Sequence, residues 1–310
     1  MLSEYAVEPA AIGADWETFR YLIEKFGADK GRLISRLPNK WERKVIQTAK
    51  AAGVPDIRMA SIVERLHRSK HAVVDFNRTY NPAESWIDNT VREHRERPFR
   101  AIICSDQAIS CAEAIIPDDC SDESRLFHSP ISRGVTRTAD EISDALLLLA
   151  AAASEIDIVD PYFDLRVARG DFVSPLGALL QKLVAIVPDP KVIRVHFRSH
   201  DSRPPPEILA RDAPAQTNGL LPADFCLELY EWEEFQNGED FHDRFFLTDI
   251  GGVMIGAGLS AEGPTETATF TLLDLQHAQR VRSRFSMDST TYRMVGPVVR
   301  IYSDGLVEVI

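Results

Sequence analysis

Cysteine and long apolar runs are both scarce in this chain of 310 residues. Its four cysteines form no C-x-x-C pair and no zinc-finger spacing, so we expect reduced thiols rather than a disulfide framework or a structural zinc. The most apolar segment, residues 145–153, is too short to span a bilayer. Residues 1–30 lack the basic stretch and apolar run of a signal peptide. We therefore expect a cytoplasmic protein that does not contact a membrane.

Positive charge is also in deficit. The chain has 35 Lys and Arg against 47 Asp and Glu, a net charge of −12, which argues against extensive wrapping of nucleic acid because that binding neutralises phosphates with basic side chains. The charge is uneven: residues 1–100 carry 18 basic and 14 acidic residues, and residues 101–310 carry 17 and 33. The N-terminal third, or another subunit, is therefore the better surface for an anionic partner.

The composition, 45% hydrophobic and 26% charged, is that of a globular protein, and its length predicts about two domains at roughly 150 residues each. We divide the chain into a helical N-terminal region (1–70), a small α/β element with a polar linker (71–137) and an α/β domain (138–310). A basic helix near residues 40–50 could touch nucleic acid, but such a face is more often simply solvated.

Local signals place the elements. Asp15 predicts a helix start, Asn39 with Glu42 predicts a second, and a third helix is expected from about Asp56. The runs "HAVVDF" and "FRAIIC" read as strands around a helix that opens at Asn81-Pro82.

Beyond residue 138 the pattern becomes regular α/β. Thr138 and Glu141 form a capping box, and the buried strands "IDIVD" and "KVIRVHF" alternate with helices, which favours a parallel sheet. A β-hairpin is expected where "RFFLTD" meets "VMIGAG" through Gly251-Gly252. These signals predict an α/β fold with a mixed sheet flanked by helices.

One segment of this domain carries candidate chemistry. His242 and Arg244 lie two residues apart on an expected strand, so their side chains share one face and both can meet one phosphate. Asp249 lies at the far end of that strand, and a glycine-rich stretch, Gly256-Ala257-Gly258-Leu259, returns the chain toward the same region.

This segment resembles the phospholipase D superfamily motif, His-x-Lys-x4-Asp-x6-Gly-Ser-x-Asn. The register is kept at His242, Arg244, Asp249 and Gly256, and the Asp-Pro-Tyr-Phe run that starts at Asp160 is also similar. The resemblance covers about residues 138–310. Arginine replaces lysine, Ala257 replaces the serine and Leu259 replaces the asparagine, so this chain carries one divergent copy.

The resemblance implies a phospholipase D-like sheet and metal-independent phosphodiester cleavage through a phosphohistidine, with no cofactor. His242 is then the nucleophile or the acid, Arg244 stabilises developing charge and Asp249 gives polar support. The candidate substrate-binding residues are Asp160, Gly256, Ser260 and His200. The second histidine that this chemistry needs comes from another copy, which implies a homodimer through the C-terminal domain. An internal alternative is His196 or His200.

Two classes of function remain open. The first is a nuclease acting on DNA or RNA, as in a bacterial defence or restriction-type system. The second is a degenerate subunit that assembles with an ATPase, a helicase or another partner, which the changes at Ala257 and Leu259 favour. A lipid-cleaving enzyme is disfavoured because no amphipathic membrane helix is evident.

Overall fold

The computed structural model describes residues 1–105, 111–187 and 189–310. They form two compact units, an N-terminal unit of Leu2–Ile131 and a C-terminal unit of Ser132–Ile310 together with Met1. Both units combine helices with a sheet, so the α/β fold class is confirmed.

A five-stranded sheet forms the centre of the N-terminal unit. Its strands are β1 Ser3–Val7, β2 Arg32–Ser35, β3 Val73–Val74, β4 Ala101–Ile103 and β5 Ala114–Ile115. Their order in the sheet is β3-β2-β1-β4-β5, and every neighbouring pair is parallel. The helices are α1 Pro9–Gly13, α2 Trp16–Ile23, α3 Trp41–Ala51, α4 Asp56–Arg68 and α5 Trp86–Glu96.

This sheet corrects the expectation that residues 1–70 are helical and separate from residues 71–137. Strands β1 and β2 lie within that stretch and pair in one sheet with β3 and β4. Their side chains are almost all buried, so they lack the alternation that marks a half-buried strand. A run of four or five buried residues carries no period by which a strand differs from a helix.

The helix starts of this unit follow the local signals only in part. Asp15 caps α2 by accepting a hydrogen bond from the Thr18 amide, and α4 begins at Asp56, both as predicted. Helix α3 has Lys40 at its N-cap with no side-chain bond, so the capping box predicted from Asn39 is wrong. Helix α5 is capped by Ser85 rather than started by Asn81-Pro82.

The C-terminal unit is built on a ten-stranded sheet. Its strands are β6 Ser132–Thr136, β7 Ile156–Val159, β8 Val192–Arg198, β9 Cys226–Glu234, β10 Phe245–Thr248, β11 Gly252–Ile255, β12 Thr267–Leu273, β13 Tyr292–Met294, β14 Val299–Tyr302 and β15 Val307–Val309. Their order is β15-β14-β9-β8-β7-β10-β11-β12-β6, and β13 pairs with β9. Its helices are α6 Ala139–Ala152, α7 Val173–Ile186, α8 Pro206–Gln216 and α9 Leu275–Ser283.

Most local signals in this unit are confirmed. Thr138 caps α6 through the Glu141 amide, and β10 and β11 form the predicted antiparallel hairpin. The unit boundary, however, falls before Ser132 rather than after residue 137. Residues 132–136 form the edge strand β6, and three of its five residues are exposed, so it has no apolar pattern to signal a strand.

Strand directions define the edge at which the candidate site lies. Strands β7, β8 and β9 run parallel, and β10 runs antiparallel to β7 with Phe245 opposite Val159. The carboxyl ends of β7, β8 and β9 therefore share one edge with the start of β10 and the end of β11.

The helices of the described segments include none with the length and apolar character needed to cross a membrane.

Candidate functional site

Arg244 and Asp160 are neighbours at this edge. Asp160 directly follows β7 and Arg244 directly precedes β10, and the pairing of Phe245 with Val159 sets them side by side. The Arg244 Nε atom lies 4.0 Å from the Asp160 Oδ1 atom, and its Nη1 donates to the Gly256 carbonyl at 3.4 Å. Of the motif residues, Arg244 thus approaches the carboxylate of the Asp-Pro-Tyr-Phe run, and Gly256 contacts Arg244 through its carbonyl.

Two guanidinium groups converge on the ring of Tyr162, which is 45% exposed. Arg244 lies 4.9 Å and Arg198 lies 5.7 Å from the ring centroid. Both distances are within the range of a cation–π interaction. The tyrosine therefore contacts two cations, one at the end of β8 and one just before β10, in a place that solvent and ligands reach.

His242 joins this group through Asp240. Its Nε2 atom lies 2.6 Å from the Asp240 Oδ2 atom, while the Asp240 Oδ1 atom lies 3.7 Å from the Arg198 Nη1 atom. The His242 side chain is 58% exposed, and Nδ1 is the ring nitrogen that faces away from Asp240. Strand β10 begins only at Phe245, so His242 and Arg244 lie in the segment before the strand rather than on it. We call Tyr162, Arg198, Asp240, His242 and Arg244 the Tyr162 cluster.

Asp160 is the buried anion beneath this cluster. Burial raises the pKa of its carboxyl, and the amides of Tyr162 and Leu259 together with the Arg244 and Arg203 charges offset only part of that effect. Gly258 makes the close approach possible, because its φ is +84° and an added Cβ would lie 2.6 Å from Asp160 Oδ2 and 3.0 Å from Arg244 Cδ. A residue with a side chain here would clash with Asp160 and Arg244.

Asp249 and Ser260 lie away from the Tyr162 cluster. Asp249 is at the opposite end of β10, where its Oδ1 accepts hydrogen bonds from the amides of Ser154 and Glu155. The Ser260 hydroxyl accepts a hydrogen bond from Arg137 and donates one to Glu262. Both side chains hold neighbouring segments together, and neither is aimed at the shared edge.

At position 259, where the motif has an asparagine, this chain contributes only a main-chain group to the site. The Leu259 amide lies 3.3 Å from Asp160 Oδ2, while its side chain is buried and lines an apolar cavity with residues of α6 and α7. Leucine therefore serves the core at this position, and the anion receives a main-chain donor in place of a side-chain amide.

His200 and His196 differ in their surroundings. His200 follows β8 at the same edge and is exposed, with its Nδ1 within 2.8 Å of the Ser202 hydroxyl. His196 is buried on β8, with Nε2 at 3.1 Å from Asp157 and Nδ1 accepting from the Trp232 indole at 3.1 Å. Burial lowers the pKa of His196, although Asp157 opposes this, so the ring is neutral and both nitrogens are engaged.

Among the described residues of the N-terminal unit, the potential ligand atoms of His94, Cys111 and Glu113 lie within 4.8 Å of one another. His94 Nδ1 accepts a hydrogen bond from the Phe99 amide, so the proton is on Nε2, which lies 3.5 Å from Glu113. Metal ligation through Nε2 needs the opposite tautomer, with Nδ1 as the donor. We therefore interpret this group as a hydrogen-bonded contact.

Four residues of the site were not predicted: Tyr162, Arg198, Asp240 and Gly258. Tyr162 follows β7, and Arg198 is the last residue of β8. The carboxyl ends of parallel neighbours meet at one edge, so the expected strand order could have brought these two together. Asp240 lies in an acidic stretch that is indistinguishable from a solvated loop, and Gly258 depends on a contact distant in sequence.

The comparisons with known proteins show no family for this chain. No protein-family model matches it and no curated protein does. One similar solved structure is that of TrmBL2, an archaeal chromatin protein reported to show a novel mode of DNA binding, at 11% identity and a TM-score of 0.29. The similarity covers 82% of this chain and 88% of that one, and at this TM-score it supports neither a shared fold nor a shared function.

Proposed function

We propose that the C-terminal unit binds a phosphodiester at the Tyr162 cluster and cleaves it without a metal ion, with nucleic acid as the substrate. The observation that carries this proposal is the convergence of Arg198 and Arg244 on Tyr162, beside the Asp240–His242 pair. Two guanidinium groups offer a fork of donors that suits phosphate oxygens. An exposed histidine next to them supplies the nucleophile.

The reaction has two steps. A ring nitrogen of His242 forms a bond to phosphorus while the bond to the leaving oxygen breaks, and an acid donates a proton to that oxygen. Water then attacks the phosphohistidine, its proton goes to the group that acted as the acid in the first step, and the P–N bond breaks to release the histidine. The geometry favours Nδ1 as the attacking atom because Nε2 faces Asp240. Arg198 and Arg244 stabilise the negative charge that develops on the phosphoryl oxygens.

The acid in this scheme is a second histidine. His196 is a poor choice because both of its ring nitrogens are engaged. We therefore propose that a second copy of the chain brings its own His242 to the site about a two-fold axis. His200 remains the internal alternative, since it is exposed at the same edge.

The second candidate is a subunit that keeps the fold and serves assembly with an ATPase, a helicase or another partner. The burial of Leu259 in the core favours it, because the motif side chain that would face a substrate is missing. The acidic residues around His242 favour it as well, since they repel a polyanion.

Cleavage assays separate these candidates. The purified chain is incubated with single-stranded DNA, duplex DNA, RNA and bis(p-nitrophenyl) phosphate, with and without EDTA. We expect cleavage that persists in EDTA and is lost in His242→Ala, while His277→Ala, an exposed histidine on α9, retains it. We expect Arg244→Lys to lose one to two orders of magnitude, about 1.4–2.7 kcal/mol, because lysine keeps the charge but not the fork. Dependence on Mg²⁺, or activity in His242→Ala, contradicts the histidine mechanism.

A further inference from the structure

A cavity of about 450 Å³ lies on the face of the C-terminal sheet that α9 covers. We call it the α9 pocket. It is bounded by β7, β8 and β9 on one side and by α9 and the residues that follow it on the other. The lining residues that matter here are Arg194, His196, Tyr230, Trp232, Arg282 and Phe285. None of these belongs to the Tyr162 cluster, so the pocket needs its own explanation.

The floor of the α9 pocket is a hydrogen-bonded chain across three strands. The Trp232 indole donates to His196, His196 donates to Asp157, and Arg282 Nε donates to the other oxygen of Asp157 at 2.6 Å. The His196 ring also packs against Tyr230 and Phe285, with centroids 5.1 and 5.3 Å away. Because the polar groups of His196 and Trp232 are hydrogen-bonded to each other, this part of the pocket presents mainly aromatic surface to a ligand.

The charges of the α9 pocket balance. Arg194 and Arg282 are paired with Glu155 and Asp157, and Arg194 also lies 3.8 Å from Glu228, which pairs with Arg300, so three cations meet three anions. This balance disfavours a phosphate or carboxylate inside the pocket. It favours an uncharged planar group that stacks on the rings and has both donors and acceptors at its edge, to match the carboxylate of Asp157 and the guanidinium of Arg194, which both line the pocket. A nucleobase has this chemistry.

The α9 pocket adjoins the Tyr162 cluster. His196 precedes Arg198 by two residues on β8, a step of about 6.6 Å along the strand, and Arg198 is directly opposite Trp232 in the sheet. The Phe285 ring lies 5.1 Å from that of Phe241, the residue before His242. The separation is short enough for one nucleotide to place its phosphate at Arg198 and its base in the pocket.

We propose that the α9 pocket binds one nucleobase of a single-stranded nucleic acid whose phosphodiester lies at the Tyr162 cluster. This inference rests on the proposed function and specifies its substrate. A base held in the pocket is unpaired and unstacked from its neighbours, so single strands are preferred over duplexes. A phospholipid headgroup has no planar ring for this pocket.

The test uses nucleosides, which have a base and no phosphate. Binding of adenosine and uridine is measured by tryptophan fluorescence and calorimetry, with ribose 5-phosphate as the ligand that lacks a base. We expect Tyr230→Ala to weaken nucleoside binding about tenfold, and Tyr230→Phe to keep it within about twofold because the ring remains. Tyr21→Ala, at an exposed tyrosine of the N-terminal unit, is the matched control.

A second variant guards against misfolding of Tyr230→Ala. Ser283 is exposed at the end of α9 and lines the pocket, so Ser283→Trp fills the pocket from a surface position. We expect it to weaken nucleoside binding at least tenfold with an unchanged circular dichroism spectrum. Binding that Ser283→Trp leaves intact overturns the proposal.

The outcomes separate this inference from the proposed function. Nucleoside binding that depends on Tyr230 and persists in His242→Ala supports the base pocket, even in a protein that cleaves nothing. Phosphodiester cleavage without nucleoside binding supports the proposed function and overturns the base pocket. Equal affinity for ribose 5-phosphate and uridine also overturns it, because the base then contributes nothing.

Discussion

The Nε2 atom of His242 lies 2.6 Å from the Oδ2 atom of Asp240. The same carboxylate approaches Arg198, so it orients the histidine and connects it to one of the two cations at Tyr162. A carboxylate that holds one histidine nitrogen fixes the tautomer and points the other nitrogen outward. Asp240 is therefore a positioning residue in the proposed reaction.

The first prediction concerns this pair. Asp240→Asn loses the anion that accepts the histidine proton, and we expect phosphodiester cleavage to fall about tenfold or more in kcat with little change in KM. Asp243→Asn is the matched control, because it removes the same charge three residues away at an exposed position. Steady-state kinetics on bis(p-nitrophenyl) phosphate gives the comparison. Equal losses of activity in the two variants would show that Asp240 acts only through its negative charge and does not orient His242.

The second prediction separates close packing from backbone strain at Gly258. Both Gly258 and Gly263 have positive φ, +84° and +114°, but an added Cβ meets Asp160 and Arg244 only at Gly258, whereas it has open space at Gly263. Each change to alanine therefore has a backbone cost of about 1 kcal/mol, and Gly258→Ala also displaces Arg244. We expect Gly258→Ala to lose at least tenfold more cleavage activity than Gly263→Ala. Similar kinetics in the two variants would contradict the prediction that a Cβ atom at position 258 displaces Arg244.

The third prediction is that Asp249 stabilises the fold and takes no part in catalysis. Its carboxylate accepts two main-chain hydrogen bonds before β7, at the far end of β10 from Arg244. We expect Asp249→Ala to lower the free energy of unfolding by about 1–2 kcal/mol and to leave kcat of the folded protein unchanged. Urea denaturation and single-temperature kinetics measure the two effects. A large loss of kcat at full stability would instead return Asp249 to the catalytic role that the motif implies.

Some local signals predicted the structure correctly. The Thr138 cap and the β10–β11 hairpin each depend on residues within a few positions of one another. Other local predictions were wrong: Asn39 does not cap α3, and His242 and Arg244 precede β10 rather than lie on it. Sequence reasoning also failed for β1 and β2, because buried strands lack alternation. Only part of the candidate site could be identified from the sequence. Tyr162 and Arg198 belong to it because of the order of strands in the sheet.

The fourth prediction follows from the pKa of Asp157. Burial raises it, but the hydrogen bond with His196 and the charges of Arg282 and Arg194 outweigh burial and hold the pKa below its usual range. A carboxyl with a lower pKa in the folded state stabilises the fold above its unfolded pKa of about 3.9, and this stabilisation is lost as the pH falls through the folded pKa.

Asp157→Asn measures that contribution. We expect it to destabilise the protein by about 3 kcal/mol at pH 7, because it removes the buried anion that is hydrogen-bonded to His196 and Arg282, and by clearly less near pH 3. Asp288→Asn, at an exposed position after α9, should show no such dependence on pH. Denaturant unfolding at several pH values gives the difference. A difference between wild type and Asp157→Asn that stays constant from pH 7 to pH 3 would refute the assignment.

The fifth prediction concerns the source of the second histidine. If two chains share one site, each contributing its own His242, then a dimer with one His242→Ala chain is inactive. Wild-type and variant chains that assemble at random in equal amounts then retain about a quarter of the wild-type activity, whereas independent sites retain about half. Co-expression with two different tags, followed by assay of the total pool and of the doubly tagged fraction, measures both values. An active doubly tagged fraction favours an internal acid, and His200→Ala should then abolish cleavage, because His200 is exposed at the same edge while both nitrogens of His196 are engaged.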